Sequence, residues 1–153
     1  MTIQEKQINE FIVSVFNDVL RLEESSLAKG TFCNLSVNEM HVIEAVYHAQ
    51  EKETNTMAEL AAKLQITAST LTIAVKTLEQ KGYLQRTRSD SDKRRVLVTP
   101  TASALQALAQ HDAFHEQLIK SVSANLNESE LAALTLALST LHRFFKVELQ
   151  KDL

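Results

Sequence analysis

The chain has 153 residues, the size of one domain, and 44% of them are apolar, which supplies a core and excludes wholesale disorder. Two Gly, one Pro and no Trp are too few turn formers for a many-stranded β-fold, so a mostly helical protein is expected. The net charge of −3 gives the chain as a whole no pull toward nucleic acid. A lone Cys33 cannot close an internal disulfide and suits a reducing cytoplasm. No signal-peptide core is read, nor any apolar run approaching the ~18 residues of a membrane span.

The first thirty residues read as a helix. Ile8, Phe11, Ile12, Val15, Phe16 and Val19 recur at helical spacing along one broad apolar stripe, and Gly30 ends it. Ser36 with Glu39 forms a capping box that opens a second helix to about Ala49, followed by a polar loop over 50–55. Thr56 with Glu59 repeats the box and starts a short helix ending near Leu64. After a connection over 65–67, Thr67 caps a helix reaching Lys81, and Gly82 stops it. Two helices this short and this closely joined form a helix-turn-helix.

Past Gly82 the pattern changes. Residues 83–88 and 95–99 read as the strands of a hairpin whose tip, 89–93, is charged and turn-forming. Pro100 ends the second strand because it has no N–H to give a ladder. Thr101 caps a long helix to about Asn125, and Asn127 with Glu130 caps the last. That helix carries Leu131, Leu134, Leu138, Leu141 and Phe145 at steps of three and four. The expected organisation is an N-terminal helix (1–31), a winged helix-turn-helix core (32–100) and C-terminal helices (101–153), three segments of one structural domain. The apolar stripes of the terminal helices exceed what a small core can bury, so they are read as dimerisation helices.

Charge is unevenly placed. Between 76 and 95 stand Lys76, Lys81, Arg86, Arg88, Lys93, Arg94 and Arg95 against Glu79, Asp90 and Asp92, a basic island on an acidic body. A helix-turn-helix followed at once by a basic hairpin places its second helix in the major groove of DNA and its wing at the backbone and minor groove. Leu71, Val75 and Leu78 share the inward face of that helix. Ala68, Ser69, Thr70, Thr72, Ile73, Lys76 and Thr77 are left outward, where small and hydroxyl-bearing side chains allow close approach, bond phosphates and base edges, and touch thymine methyls. Arg88, Asp92, Lys93, Arg94 and Arg95 complete the candidate DNA-binding set. The competing reading is a winged helix that binds only protein. No Gly-rich phosphate loop, nucleophile elbow or paired catalytic carboxylates is read, so an enzyme is not expected.

Residues 67–81, then Gly82-Tyr83-Leu84, then Asp92-Lys93-Arg94-Arg95 resemble the MarR family of bacterial transcriptional regulators, and the resemblance extends over essentially the whole chain. Ile8-Asn9-Glu10-Phe11, Glu23-Glu24 and Ser36-Val37-Asn38-Glu39-Met40-His41 resemble the FabT-type branch, repressors of fatty-acid synthesis genes. The resemblance implies a homodimeric repressor on a double-stranded DNA operator, with Arg94 in the minor groove oriented by Asp92. Ile73 stands where many relatives carry Arg, which implies an A·T-rich or shape-read operator. The implied effector is acyl carrier protein bearing a long acyl chain, acting as co-repressor. Its chain would enter an apolar tunnel at the junction of helices one, two and five, and the acidic carrier would meet Arg86 or Arg88.

Zinc-sensing members of the family place ligands where Glu24, His41, His111 and His115 fall. Those four residues therefore carry two readings, a zinc tetrad or a hydrogen-bonded polar cluster at the helix junction with a structural or allosteric role, and no obligatory cofactor is expected. Cys33 does not fit the zinc pattern.

Overall fold

The computed structural model describes residues 1–151, and the last two positions of the 101–153 segment lie outside the described residues. Its elements run α1 (Ile3–Lys29), α2 (Val37–Glu51), α3 (Met57–Leu64), α4 (Ala68–Gln80), β1 (Leu84–Arg88), β2 (Val96–Pro100), α5 (Ala102–Ser123) and α6 (Glu128–Lys151). This is a mostly helical, winged helix-turn-helix fold. No helix among the described residues is long and apolar enough to cross a membrane.

Local chemistry sets the helix starts. Ser36 with Glu39 and Thr56 with Glu59 form reciprocal capping boxes, and Thr2 with Glu5 adds a third at the start of α1. Asn127 and Glu130 exchange the same pair of bonds at 3.0 and 2.8 Å before α6. Two left-handed residues reverse the chain around α4. Gln65 (φ 55) closes α3 through its N–H to the Ala61 and Ala62 carbonyls, so that Thr67 can cap α4 two residues later. Gly82 (φ 81) ends α4 in a conformation that favours glycine. The Tyr83 N–H then bonds the Leu78 carbonyl at 2.8 Å, and Tyr83 and Leu84 enter the core.

The chain packs as two compact units, residues 1–114 and the residues from 115 onward. In the first, Met40, Ile43, Val46, Leu60, Leu71, Leu78, Val75 and Val98 are fully buried, so α2, α3, α4 and the wing share one core. The wing is an antiparallel pair, with Leu84 opposite Pro100 and Arg88 opposite Val96. In the second unit α6 leaves Leu136, Leu138, Phe144, Phe145 and Val147 exposed. The α1 stripe is equally uncovered in a single chain, with Ile8, Phe11 and Phe16 all more than half exposed.

Some expected boundaries shift. The segment 50–55 is not all loop: α2 continues to Glu51, and Asn55 is buried. Asn55 bonds Val98 twice, amide to carbonyl at 2.8 Å and carbonyl to N–H at 2.9 Å, and Thr56 bridges Leu97 as a one-residue third strand. Tyr83 precedes β1, and Arg95 precedes β2, where its carbonyl accepts from the Ser89 N–H at 3.0 Å to close the wing tip. α5 stops at Ser123 instead of Asn125.

Candidate nucleic-acid interface

The surface that could meet DNA begins with the Thr67 cap. Its hydroxyl oxygen accepts from the Thr70 N–H at 3.2 Å and lies 3.0 and 2.8 Å from the Ser69 and Thr70 hydroxyls. From that start, Leu71, Val75 and Leu78 point into the core with no exposed area. Ala68, Ser69, Thr70, Thr72, Ile73 and Lys76 are exposed, and Thr77 is half-buried. The Thr72 and Thr77 hydroxyls donate back to the carbonyls of Ala68 (2.8 Å) and Ile73 (3.0 Å), so their protons are committed within the helix.

The basic island divides into two groups. Arg86 on β1 holds Glu79 on α4 with both arms, at 3.0 and 2.6 Å. Lys81 bonds Glu39 on α2 at 2.7 Å and the Asn34 carbonyl at 2.6 Å. Arg95 lies 3.5 Å from Glu59 on α3. These three cations tie the wing and the outward-facing helix to the body. Lys76, Arg88, Lys93 and Arg94 are exposed and, among the described residues, pair with no carboxylate. They are the charges left for a polyanion.

At the wing tip an Asp92 oxygen (Oδ1) accepts from the Arg94 backbone N–H at 3.0 Å, and the Asp92 carbonyl accepts from Arg95 N–H at 2.9 Å. Asp92 thus shapes the turn that presents Arg94, acting on its backbone. The partners of the bracing cations are themselves shifted. The Arg86 hydrogen bond holds the Glu79 carboxyl below its ordinary value. Hydrogen bonds from Thr56 do the same for Glu59. Burial works to raise Glu39, but Lys81 and Ser36 together keep it low. All three carboxylates are therefore ionised at neutral pH.

The four residues expected at the helical junction are not assembled as one set. Glu24 on α1 and His41 on α2 are exposed, whereas His111 on α5 is buried. The His41 and His111 rings meet edge-on with centroids 6.3 Å apart. Glu23, not Glu24, is the buried acid, and its carboxylate lies within 4.8 Å of an His111 ring nitrogen. One residue along a helix turns the side chain by about 100°, enough to exchange the inward for the outward acid. His115 follows one turn after His111 on the same helix and is half-buried. Arg86, named as a contact for an acidic carrier, is occupied by Glu79, while Arg88 is exposed. Between α2 and α5 a cleft has Tyr47, Leu105, Leu108 and Ala109 on its walls and Glu44 and Asp112 beside them.

Comparison with known proteins places this geometry. The MarR family profile matches residues 35–96, from the loop before α2 to the start of β2. The crystal structure of Streptococcus pneumoniae FabT in complex with DNA superposes with a TM-score of 0.85 at 31% identity, over 93% of this chain and 97% of that one. The chain belongs to the MarR family. It is a MarR-family DNA-binding transcriptional regulator. The transcriptional regulator ZitR of Lactococcus lactis is 26% identical over 113 residues, 74% of this chain and 76% of that protein. The regulator BldR of Sulfolobus solfataricus superposes with a TM-score of 0.60 at 26% identity, over 92% of this chain and 99% of that one.

Three contributors to this MarR-family interface were not found by reading the sequence. Glu79 reads as an ordinary surface acid, and Glu59 as a helix cap alone, until the wing folds back onto them. Asn34 looks like a loop residue, yet it receives both the Lys81 ammonium at its carbonyl and the Tyr83 hydroxyl at its side chain (2.7 Å), which ties the loop after α1 to the end of α4. The acids that meet Arg86, Lys81 and Arg95 (Glu79, Glu39 and Glu59) stand on other elements, so nothing in the local spacing of the chain marks the pairs.

Proposed function

We propose that this MarR-family regulator is a homodimeric repressor of fatty-acid synthesis genes, and that acyl carrier protein bearing a long acyl chain tightens its hold on DNA. The observation that carries the proposal is its likeness to S. pneumoniae FabT along nearly the full length of both chains. Two physical features support it. The uncovered apolar face of α1 needs a partner surface, and a two-fold pair would present α4 and the wing to two half-sites about one helical turn apart. The apolar wall of the α2–α5 cleft, with Leu105 and Leu108, is chemically suited to an acyl chain. A co-repressor then works by binding the DNA-competent form more tightly than the other.

Zinc control is the second reading, supported by Glu23 and His111, an acid and an imidazole buried within 4.8 Å of one another. An acid–imidazole pair of this kind is a familiar beginning for a divalent-metal site. One titration separates the two. Duplexes from the promoters of fatty-acid synthesis genes in the same genome are titrated with the protein alone, with long-chain acyl carrier protein, with the unacylated carrier, with zinc and with a chelator. Tightening by the acylated carrier alone is the expected result. A response to zinc and its reversal by chelator, with none to the carrier, would overturn the proposal in favour of the second reading.

A further inference from the structure

The groove-facing surface of α4 lacks the side chains that usually read bases in pairs of bonds. From Ala68 to Thr77 there is no Arg, Asn or Gln, the residues that grip guanine or adenine bidentately. The Thr72 and Thr77 hydroxyl protons are given to backbone carbonyls, and the Ser69 and Thr70 hydroxyls are shared with Thr67. Lys76 is the exposed cation of the helix.

What stands at the centre of that surface is Ile73, 69% exposed. At 3.6 residues per turn it lies about 190° around the helix from the mean direction of Leu71, Val75 and Leu78, diametrically opposite the core. Ser69 is one turn before it and Thr77 one turn after. A lone exposed isoleucine is unremarkable on most surfaces. Here it occupies the point of α4 farthest from the body, where a helix lying in the major groove comes nearest the base edges. The apolar group presented on those edges is the 5-methyl of thymine. A branched aliphatic side chain gains from covering that methyl and loses nothing to unpaired polarity, because it carries none.

We infer that Ile73 is a specificity-determining residue that recognises thymine by burying its 5-methyl group in each half-site. The inference rests on α4 being the helix that enters the groove. Deoxyuridine tests it one atom group at a time, since it pairs as thymine does and lacks only the methyl. Duplexes are first selected from a random pool with the wild-type protein, and each thymine of the best palindrome is then replaced in turn.

At one symmetric thymine pair, the substitution weakens wild-type binding by about fourfold for one half-site and about fifteenfold for both, the factor for one buried methyl and for two. With Ile73→Ala, the thymine and uridine duplexes bind within about twofold of each other, because the coupling partner is gone. The variant's thermal midpoint matches the wild type, since Ile73 contributes little to the core. Discrimination at no thymine, or discrimination undiminished in Ile73→Ala, overturns the inference while leaving DNA binding intact. A pool from which nothing is enriched overturns the groove placement of α4 itself, and the inference with it.

Discussion

The division of the basic island into bracing and uncommitted cations makes a quantitative statement about salt. Among the described residues Lys76, Arg88, Lys93 and Arg94 are exposed without carboxylate partners, while Arg86 is held in both arms by Glu79. Eight uncommitted cations in a dimer would give log K against log salt a slope no steeper than about −7, at about 0.9 per neutralised phosphate. Arg94→Ala removes one contact from each wing and makes the slope shallower by about 1.8. Between 50 and 200 mM KCl the wild type then loses roughly twelvefold more affinity than the variant. Arg86→Ala should flatten the slope by less than about half a unit, because the guanidinium it removes was neutralising Glu79 and not a phosphate. Fluorescence anisotropy of a labelled operator duplex over that salt range measures both. Equal flattening by the two substitutions would refute the division, as would no flattening by Arg94→Ala.

Three further outcomes follow from the core and the braces. Leu71→Ala, at a fully buried position beneath the outward-facing surface of α4, should lower unfolding stability by about 3–5 kcal/mol in urea denaturation. A loss below about 1 kcal/mol would mean that α4 is not seated on the core as described. Asn55→Leu removes the amide that satisfies the Val98 carbonyl and should cost about 1–3 kcal/mol, read by thermal melting; an unchanged midpoint contradicts the bridging role. Glu79 has a folded-state pKa below its ordinary 4.5, so its contribution is complete above that value and disappears as pH falls through the lower folded one. The melting difference between wild type and Glu79→Gln, no more than about 1 kcal/mol for so exposed a pair, should therefore be present at about pH 6 and shrink as the pH falls below the ordinary 4.5. A difference independent of pH would assign the effect to packing.

What could be read in the chain was what is local. Ser36 with Glu39, Thr56 with Glu59 and Asn127 with Glu130 act within one helical turn, so three residues of spacing were enough to place the helix starts. The inward set Leu71, Val75 and Leu78 was legible for the same reason, because the period of a helix fixes its faces. Contacts made by the fold were not legible. Asn55 has the composition of a loop, and only the return of β2 beside it makes it a buried partner of Val98. Arg86 read as one more free cation because Glu79 lies seven residues away on a different element. The choice between Glu23 and Glu24 turned on the exact phase of a 27-residue helix, which the mixed apolar pattern of α1 does not determine. That same stripe is largely uncovered in one chain, with Ile8, Phe11 and Phe16 exposed and only Ile12 and Val19 partly buried, so its packing within the chain does not fix the phase either.

Recognition as proposed sets α4 in the major groove and the wing in the neighbouring minor groove. Cys33 is the one native thiol and is exposed, so a Cys33→Ser background leaves the protein open to site-directed tethering. An iron chelate that cleaves DNA is attached through Ser69→Cys at the start of α4 or through Lys93→Cys at the wing tip, each on a bound operator. Cuts centred on the major groove of each half-site are expected from position 69, and cuts confined to the flanking minor groove from position 93. Major-groove cleavage from the wing, or no cleavage from position 69 on a duplex that the protein demonstrably holds, would contradict this placement.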